Sequence, residues 1–512
     1  MKVNICQFNY YAGNTEANQK QAEGVLNASG EDCLNIFSEL SLSGGPLYNK
    51  VLHKDLYKQT SMCGDNLCST GKSFIIGTPA ENNGQYYNSL VFVEKGQVRA
   101  LATKRNLSRF DGNFAAGNGM EVLTYQGKKI AFGFYEDIYN FVQRKVDVDL
   151  LIVCTALLFD KDETDELQNE IKGYALRLKA DIILVNRIGT EGNYLFNGRS
   201  FVVTKQGKTA VSLKEFEQTQ YGFDTEDIDN VSQVNPLPCY EERIYHACVE
   251  GIRDYWHKSK IQKAVIGLSG GIDSALAVVL AAQALGKDNV TGVLMPSEFS
   301  SSHSVNDALK SAENLGIKHY TVPVQGIFQA SKEALHELLS DNKTDTTEEN
   351  LQARARCMIV MAFCNRLNAA MINTSNKSES AVGYGTLYGD DSGALGPIGD
   401  LYKQDVYKLS RWINRNEEII PWNSIDKEPS AELHFNQKDS DTLPEYDVLD
   451  KILQQHIERN MSEQEIINAG YDEKTVKRVL HLYNINEWKR RQEAPALRLS
   501  KTCFATDYKI NF

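Results

Sequence analysis

The sequence predicts an α/β protein of two domains, and three observations carry that prediction. At 512 residues the chain exceeds what a single hydrophobic core organises well. Its C-terminal half alternates short apolar runs with helical patterns, the signature of a doubly wound parallel sheet. One junction in that half, residues 264–282, reads as a buried strand (264–268), a tight glycine turn (269–274) and a helix from 275 onward. Ligands of such sheets sit at the carboxyl ends of the strands, where this turn falls.

Composition narrows the class. With 42% hydrophobic and 24% charged residues, the chain has an ordinary globular make-up. The net charge of −12 argues against nucleic acid as the main partner, with a local basic cleft still open. No charged and apolar leader precedes the first strand pattern, and no apolar run reaches membrane-spanning length, so a cytoplasmic protein is expected. The 10 cysteines are scattered through apolar patterns, as reduced core thiols are. Cys63 and Cys68 form the one close pair. They read as two unrelated loop cysteines, because no second Cys/His pair follows to complete a metal site.

Residues 1–205 place β-rich runs at 2–8, 33–37, 73–76, 87–93, 129–134, 150–155, 181–185 and 200–203, with helical periodicity at 15–26 and 163–178. Residues 206–238 are acidic and poorly periodic and end Asn235-Pro-Leu-Pro238, which reads as a linker. The second domain, 239–512, opens with an amphipathic helix at 240–257. Beyond the glycine turn come strands at 290–295, 320–324 and 370–374, helices at 304–315 and 351–368, and a glycine-rich stretch at 383–399.

The turn and its flanks, Gly267, Leu268, Ser269, Gly270, Gly271, Ile272, Asp273 and Ser274, suit an anion. Gly270 and Gly271 lack Cβ, so the backbone can take φ > 0 and present successive N–H groups. The helix behind them adds partial positive charge. Asp273 is out of place beside phosphate unless a divalent cation lies between them, which implies Mg²⁺ on a nucleotide. No lysine stands in the turn, so it is not a Walker A loop.

These residues resemble the pyrophosphate-binding motif of ATP pyrophosphatases, and from Cys239 onward the chain resembles NAD synthetase. Five more segments carry the likeness: Glu349-Asn-Leu-Gln-Ala-Arg-Ala-Arg356, Thr374-Ser-Asn-Lys-Ser-Glu-Ser-Ala-Val-Gly-Tyr-Gly-Thr-Leu-Tyr-Gly-Asp390, Gly399-Asp-Leu-Tyr-Lys403, Pro429-Ser-Ala-Glu-Leu433 and Trp488-Lys-Arg-Arg-Gln492. The resemblance implies a Rossmann-like domain that amidates nicotinic acid adenine dinucleotide (deamido-NAD) with ATP. By the same likeness the turn, Thr374 and Lys403 bind ATP, while Asp273 and Glu379 hold the metal. Asn350, Arg354, Glu379 and Lys489 would meet deamido-NAD, and Asp273, Glu379 and Lys403 are the residues expected to act in the chemistry. The acid carboxylate attacks the α-phosphorus to give an acyl-adenylate, and ammonia then expels AMP. Neither step needs a protein nucleophile. The likeness also implies a homo-oligomer with paired synthetase domains.

Residues 1–205 resemble the nitrilase-fold glutaminase domain of glutamine-dependent NAD synthetases, which implies an αββα sandwich with a Glu, Lys and Cys triad. Glu39 matches the base and Lys104 the lysine that stabilises the oxyanion. Where the family has Cys-Glu-Asp, this chain reads Tyr135-Glu-Asp137, so Tyr135 stands at the nucleophile position. A phenol with a pKa of about 10 is a weak nucleophile and far larger than a thiol. Phe110, Leu157 and Glu163 replace further residues that would hold glutamine. The sequence therefore predicts a vestigial amidase site and ammonia as nitrogen donor, free or handed over by a separate protein. Two alternatives stay open: glutamine dependence through a relocated nucleophile such as Cys154, and a non-catalytic nucleotide-binding regulator.

Overall fold

Alternating side chains decide the architecture of the first unit, Met1–Pro238. The computed structural model describes residues 1–339 and 345–507, so 340–344 and 508–512 of the expected second domain lie outside the described residues. In the strand Lys2–Gln7, Val3 and Ile5 point into one core and Cys6 into another. In Lys128–Phe134, Ile130, Phe132 and Phe134 share the first of these cores, while Ala131 faces the opposite way. Strand side chains alternate with period two, so each such strand is apolar on both faces and is covered on both.

The result is two sheets packed face to face, with helices outside. One sheet has six strands in the order Thr219–Asp224, Lys2–Gln7, Cys33–Phe37, Ser73–Asn82, Gln85–Glu94 and Gln97–Thr103. The other has seven, in the order Gln233–Val234, Thr209–Ser212, Phe201–Val203, Asp181–Val185, Leu150–Cys154, Lys128–Phe134 and Glu121–Tyr125. Helix Thr15–Ala28 and helix Lys54–Cys68 cover the first through Val25, Leu26, Cys63 and Leu67. Helix Glu166–Leu178 covers the second through Ile171 and Ala175. This is the expected αββα sandwich.

Two expectations fail here. Residues 206–238 are not a linker, because Thr209–Ser212, Thr219–Asp224 and Gln233–Val234 are strands of the two sheets. Thr219–Asp224 pairs antiparallel with Lys2–Gln7 at a sheet edge, where its residues alternate half-buried and exposed. Such an edge carries polar residues and gives little apolar periodicity. Cys63 and Cys68 are not loop cysteines either; both lie on helix Lys54–Cys68, with Cys63 buried.

The second unit, Cys239–Phe512, is built on four parallel strands in the order Lys318–Thr321, Val290–Leu294, Lys263–Leu268 and Ala369–Met371. Helices Tyr240–Lys258, Ile272–Leu285, Ser302–Leu315, Thr346–Leu367 and Lys403–Ile413 surround them. A separate apolar cluster joins Tyr402, Ala381 and Val382 to helices Tyr446–Ile457 and Glu473–Ile485. The helix after the glycine turn begins at Ile272 and not at 275, so Asp273 and Ser274 occupy its first turn. Strand Ala369–Met371 ends before Thr374, which lies in the following loop. Among the described residues no helix is long and apolar enough to cross a membrane.

Candidate functional site

Only one of the two turn glycines needs its conformational freedom. Gly270 has φ +79°, and a Cβ there would meet the Ser304 carbonyl at 2.1 Å. Gly271 has φ −77° and is the N-cap of helix Ile272–Leu285, so the expected pair of positive-φ glycines is a single one. Serines brace the turn: Ser274 Oγ donates to the Gly271 carbonyl at 3.0 Å, and Ser424 Oγ to the Gly270 carbonyl at 2.9 Å. The turn thus holds its shape through side chains from two helices, with the N-terminus of helix Ile272–Leu285 aimed past it.

Next to it lies a buried ion centre. Lys403 Nζ is 2.6 Å from Asp273 Oδ2 and 3.0 Å from Glu379 Oε1. Asn376 ties the two acids from behind: its Nδ2 donates to Asp273 Oδ1 at 3.0 Å, and its Oδ1 accepts from the Glu379 backbone N–H at 3.0 Å. Burial pushes the Glu379 carboxyl up to about 7 against the pull of Lys403, and Asp273 and Asp439 add to the rise. For Lys403, burial opposes the charge, but Asp273 and Glu379 outweigh it and hold the ammonium well above its ordinary range. Asp439 accepts from both Tyr384 and Tyr446 at 2.9 Å, which seats Tyr446 over the same centre.

Lys377, in the same motif, does different work. Its ammonium is completely buried and meets Asp400 at 2.8 Å, Glu458 at 2.7 Å, Ser500 Oγ at 2.9 Å and the Thr502 carbonyl at 3.0 Å. It fastens the segment carrying Thr374 and Glu379 to the C-terminal stretch.

A cavity of about 900 Å³ opens over this centre. It is lined by the glycine turn with Asp273, and by Thr374, Glu379, Lys403, Asn350 and Lys489, so expected positions from separate segments converge on one space. Its volume is that of a site for large ligands. Asn350 Oδ1 accepts from Thr386 Oγ1 at 2.8 Å, and Lys489 Nζ donates to the Gly383 and Gly385 carbonyls at 2.9 and 3.0 Å.

Arg354 departs from expectation. It is exposed and bonds the Leu387 carbonyl, while Arg356 lines the cavity. At about 100° per residue the wall stripe of helix Thr346–Leu367 takes Glu349, Asn350, Ala353, Arg356, Cys357 and Val360 and leaves Arg354 beyond its edge. Asn376 and Arg356 are therefore the residues that sequence reasoning passed over. Asn376 carried a legible signal, an asparagine three residues before a glutamate at a helix start.

In the first unit, Glu39, Lys104 and Tyr135 each follow the end of a strand, but only two of them meet. Lys104 Nζ lies 2.8 Å from Glu39 Oε1, 2.8 Å from Glu136 Oε1 and 3.1 Å from Asp111 Oδ2. Asn88 Nδ2 donates to Glu39 at 2.6 Å and to Asp111 at 2.9 Å. Burial pushes Glu39 up to about 7 although Lys104 pulls it down. Phe134 lies under the ammonium, its ring centroid 5.7 Å from Nζ. Tyr135 turns to the other side of the sheet. Its hydroxyl donates to Glu170 Oε2 at 2.8 Å, Tyr174 takes Oε1 at 2.6 Å, and its ring packs with the cluster of Ile138 and Ile171.

The other divergent positions are bonded elsewhere. Phe110 meets Tyr194 edge-on at 5.0 Å, and the Leu157 N–H bonds Asn186. Cys154 pairs with Phe134 on the neighbouring strand and is fully buried. Burial, and then the charge of Glu39, raise its thiol well above the ordinary range.

Comparisons with known proteins bear on the family of each unit. The NAD synthase family pattern matches residues 244–493, and the carbon–nitrogen hydrolase pattern matches residues 2–231. A glutamine-dependent NAD(+) synthetase of Synechocystis is 36% identical over 97% of this chain and 94% of its own. One from Thermotoga maritima is 33% identical over 100% of this chain and 98% of its own. The solved structure of a glutamine-dependent NAD+ synthetase from Acinetobacter baumannii, in complex with ADP, superposes with a TM-score of 0.79 at 30% identity, covering 99% of this chain and 97% of that one.

Proposed function

The chain belongs to the NAD synthetase family, in its two-domain form with a carbon–nitrogen hydrolase unit, and from that premise we propose that it amidates deamido-NAD using ATP and ammonia. As a member of the family it is a ligase that forms a carbon–nitrogen bond. The carboxylate oxygen of deamido-NAD attacks the α-phosphorus of ATP, and the bond to pyrophosphate breaks. Ammonia then attacks the acyl carbon, the bond to AMP breaks, and one proton leaves the nitrogen. In this reading the turn from Gly267 to Ser274 and Thr374 hold ATP. Asn350, Arg356, Glu379 and Lys489 hold the dinucleotide, with Lys403 directed at the phosphates.

The ion centre suits Mg²⁺. Asp273 and Glu379 offer hard carboxylate oxygens on either side of one buried cation position. Among the described residues no group of three or more His, Cys, Asp or Glu could hold a metal alone, and a Mg²⁺ that takes its remaining ligands from phosphate and water needs none. Bound there, the metal would neutralise charge on the leaving pyrophosphate. A homo-oligomer belongs to this reading, because helix Thr346–Leu367 leaves Met358 and Met361 exposed at 55% and 42%, a face that a second copy would cover. Free cysteines throughout fit a reducing cytoplasm.

The observation that carries the choice of ammonia is Tyr135: the residue that the family likeness aligns with the nucleophile directs its hydroxyl to Glu170. A second reading keeps glutamine as donor. The relatives' names favour it; Cys154 would be its nucleophile, although burial and the charge of Glu39 both hold that thiol protonated. The test is NAD+ formation by the full-length protein with each nitrogen donor in turn. Ammonia should support turnover and glutamine little or none. Brisk turnover on glutamine, or stoichiometric labelling of Cys154 by a glutamine-directed electrophile, would decide for the second reading.

A further inference from the structure

Lys403 is the first residue of helix Lys403–Ile413. The positive end of a helix disfavours a cation, so the helix itself gives no reason for an ammonium there. Its position comes from Asp273 and Glu379, 2.6 and 3.0 Å away. The backbone N–H of Lys403 donates to Ser378 Oγ at 2.9 Å, which fixes the base of the side chain. The tip is held by the two carboxylates and by the face of Tyr446, whose ring centroid is 5.0 Å from Nζ. A lysine stem has four flexible carbons, so the tip can leave while the base stays.

We infer that Lys403 occupies the metal position between Asp273 and Glu379 until nucleotide arrives, so that the metal enters with the nucleotide and not ahead of it. The inference rests on the nucleotide reading of this cavity. A Mg²⁺ ion would need oxygens at about 2.0–2.1 Å, and the same oxygens now face an ammonium at ordinary hydrogen-bond distance. The two cations cannot share that gap, since like charges at contact repel strongly where water is excluded. Asn376 fixes both carboxylates from behind, so the acids hold their spacing while the cation between them changes. Displaced from the acids, the Lys403 ammonium meets in the cavity it lines a dense opposite charge that enters with the metal, the polyphosphate.

The experiment is Mn²⁺ titration of the full-length protein, read by the paramagnetic signal of free Mn²⁺, with and without a non-hydrolysable ATP analogue. Wild type without nucleotide should bind weakly, and the analogue should tighten binding. Lys403→Gln without nucleotide should bind Mn²⁺ roughly tenfold or more tighter than wild type, because two acids then lack their cation. Lys403→Arg, which keeps the charge, should stay as weak as wild type. Equal Mn²⁺ affinity for Lys403→Gln and wild type in the absence of nucleotide overturns the inference. Absence of Mn²⁺ binding in every form, with the analogue present, overturns the nucleotide reading along with it. Should Lys403→Gln not fold, a structure of the wild type with Mg²⁺ and the analogue gives the answer. Lys403 Nζ must then have left hydrogen-bond distance of Asp273 and Glu379 for the phosphates, and an ammonium still on both acids beside the bound metal sinks the idea.

Discussion

Each unit buries a lysine among acids beside its candidate site, Lys104 in the first and Lys403 in the second, and the two have different surroundings. Lys403 meets two carboxylates that line a large cavity beside the glycine turn. Lys104 meets three, two of them also bound by Asn88, while Tyr135 bonds a glutamate on the other side of the sheet. The charged clusters alone would not tell a working site from a vestige. The difference lies in what stands next to each cation: a glycine turn at a helix start in one unit, and a tyrosine in the other. On the proposed reading the cluster of Lys104 has outlived its chemistry, because removing one member of a buried ion cluster strands the others in the interior.

The largest effect that would break this comparison belongs to the second unit. Asp273→Asn should lower ATP–pyrophosphate exchange in the presence of deamido-NAD by roughly 10³-fold with the circular dichroism spectrum unchanged. Near-normal exchange would remove Asp273 from the chemistry and make the two clusters alike. In the first unit, Tyr135→Cys should release no measurable ammonia from glutamine. A thiol there would still lack a held substrate, and positioning supplies about 7–11 kcal/mol of such barriers. Robust ammonia release would show that the glutamine pocket survives.

A third test sharpens the cavity wall. Arg356→Met should raise the KM for a nucleotide substrate about tenfold, as loss of a charge-assisted contact does, while Arg354→Ala stays within about twofold. Equal effects would mean that the helix presents both arginines to substrate.

The fourth concerns pH. The folded carboxyl of Glu39 sits at about 7 against an ordinary 4.5, so the folded state binds a proton that the unfolded chain has released. The stability this proton contributes is complete below about pH 4.5 and is lost as pH rises through about 7, with a size of about 3 kcal/mol. Amide protection of strands Cys33–Phe37 and Gln97–Thr103, corrected for intrinsic exchange, should fall between pH 6 and pH 8, and Glu39→Gln should flatten the change. The smallest effect is on catalysis. The same Glu39→Gln should leave the ammonia-dependent rate within about twofold, and a larger loss would return the first unit to the reaction.

The glycine turn was legible in the sequence because strand, turn and helix put its parts in contiguous residues. The αββα sandwich was legible through family likeness, and its long central strands through near-continuous apolar runs. Edge strands such as Thr219–Asp224 were not, since one face is solvated and the pattern is diluted. Arg356 was missed because two arginines two residues apart look alike until the helix phase is fixed by packing. The groups that complete the cluster of Glu39 and Lys104 were missed for another reason. Asn88, Asp111 and Glu136 come from separate segments, and no local signal links them. The way Tyr135 points depends on Glu170, 35 residues away.

The buried ammonium of Lys377 also sets an order of events in synthesis. Two of its four partners, Ser500 and Thr502, lie 123 and 125 residues further along the chain. A nascent polypeptide that already carries Thr374, Glu379 and Lys403 still holds a cation without its full set of oxygens. The segment from Thr374 to Lys403 can therefore set into its final shape only after residues 500–502 have been made and have folded back, which leaves a late-translation interval in which the walls of the cavity exist but are not yet locked.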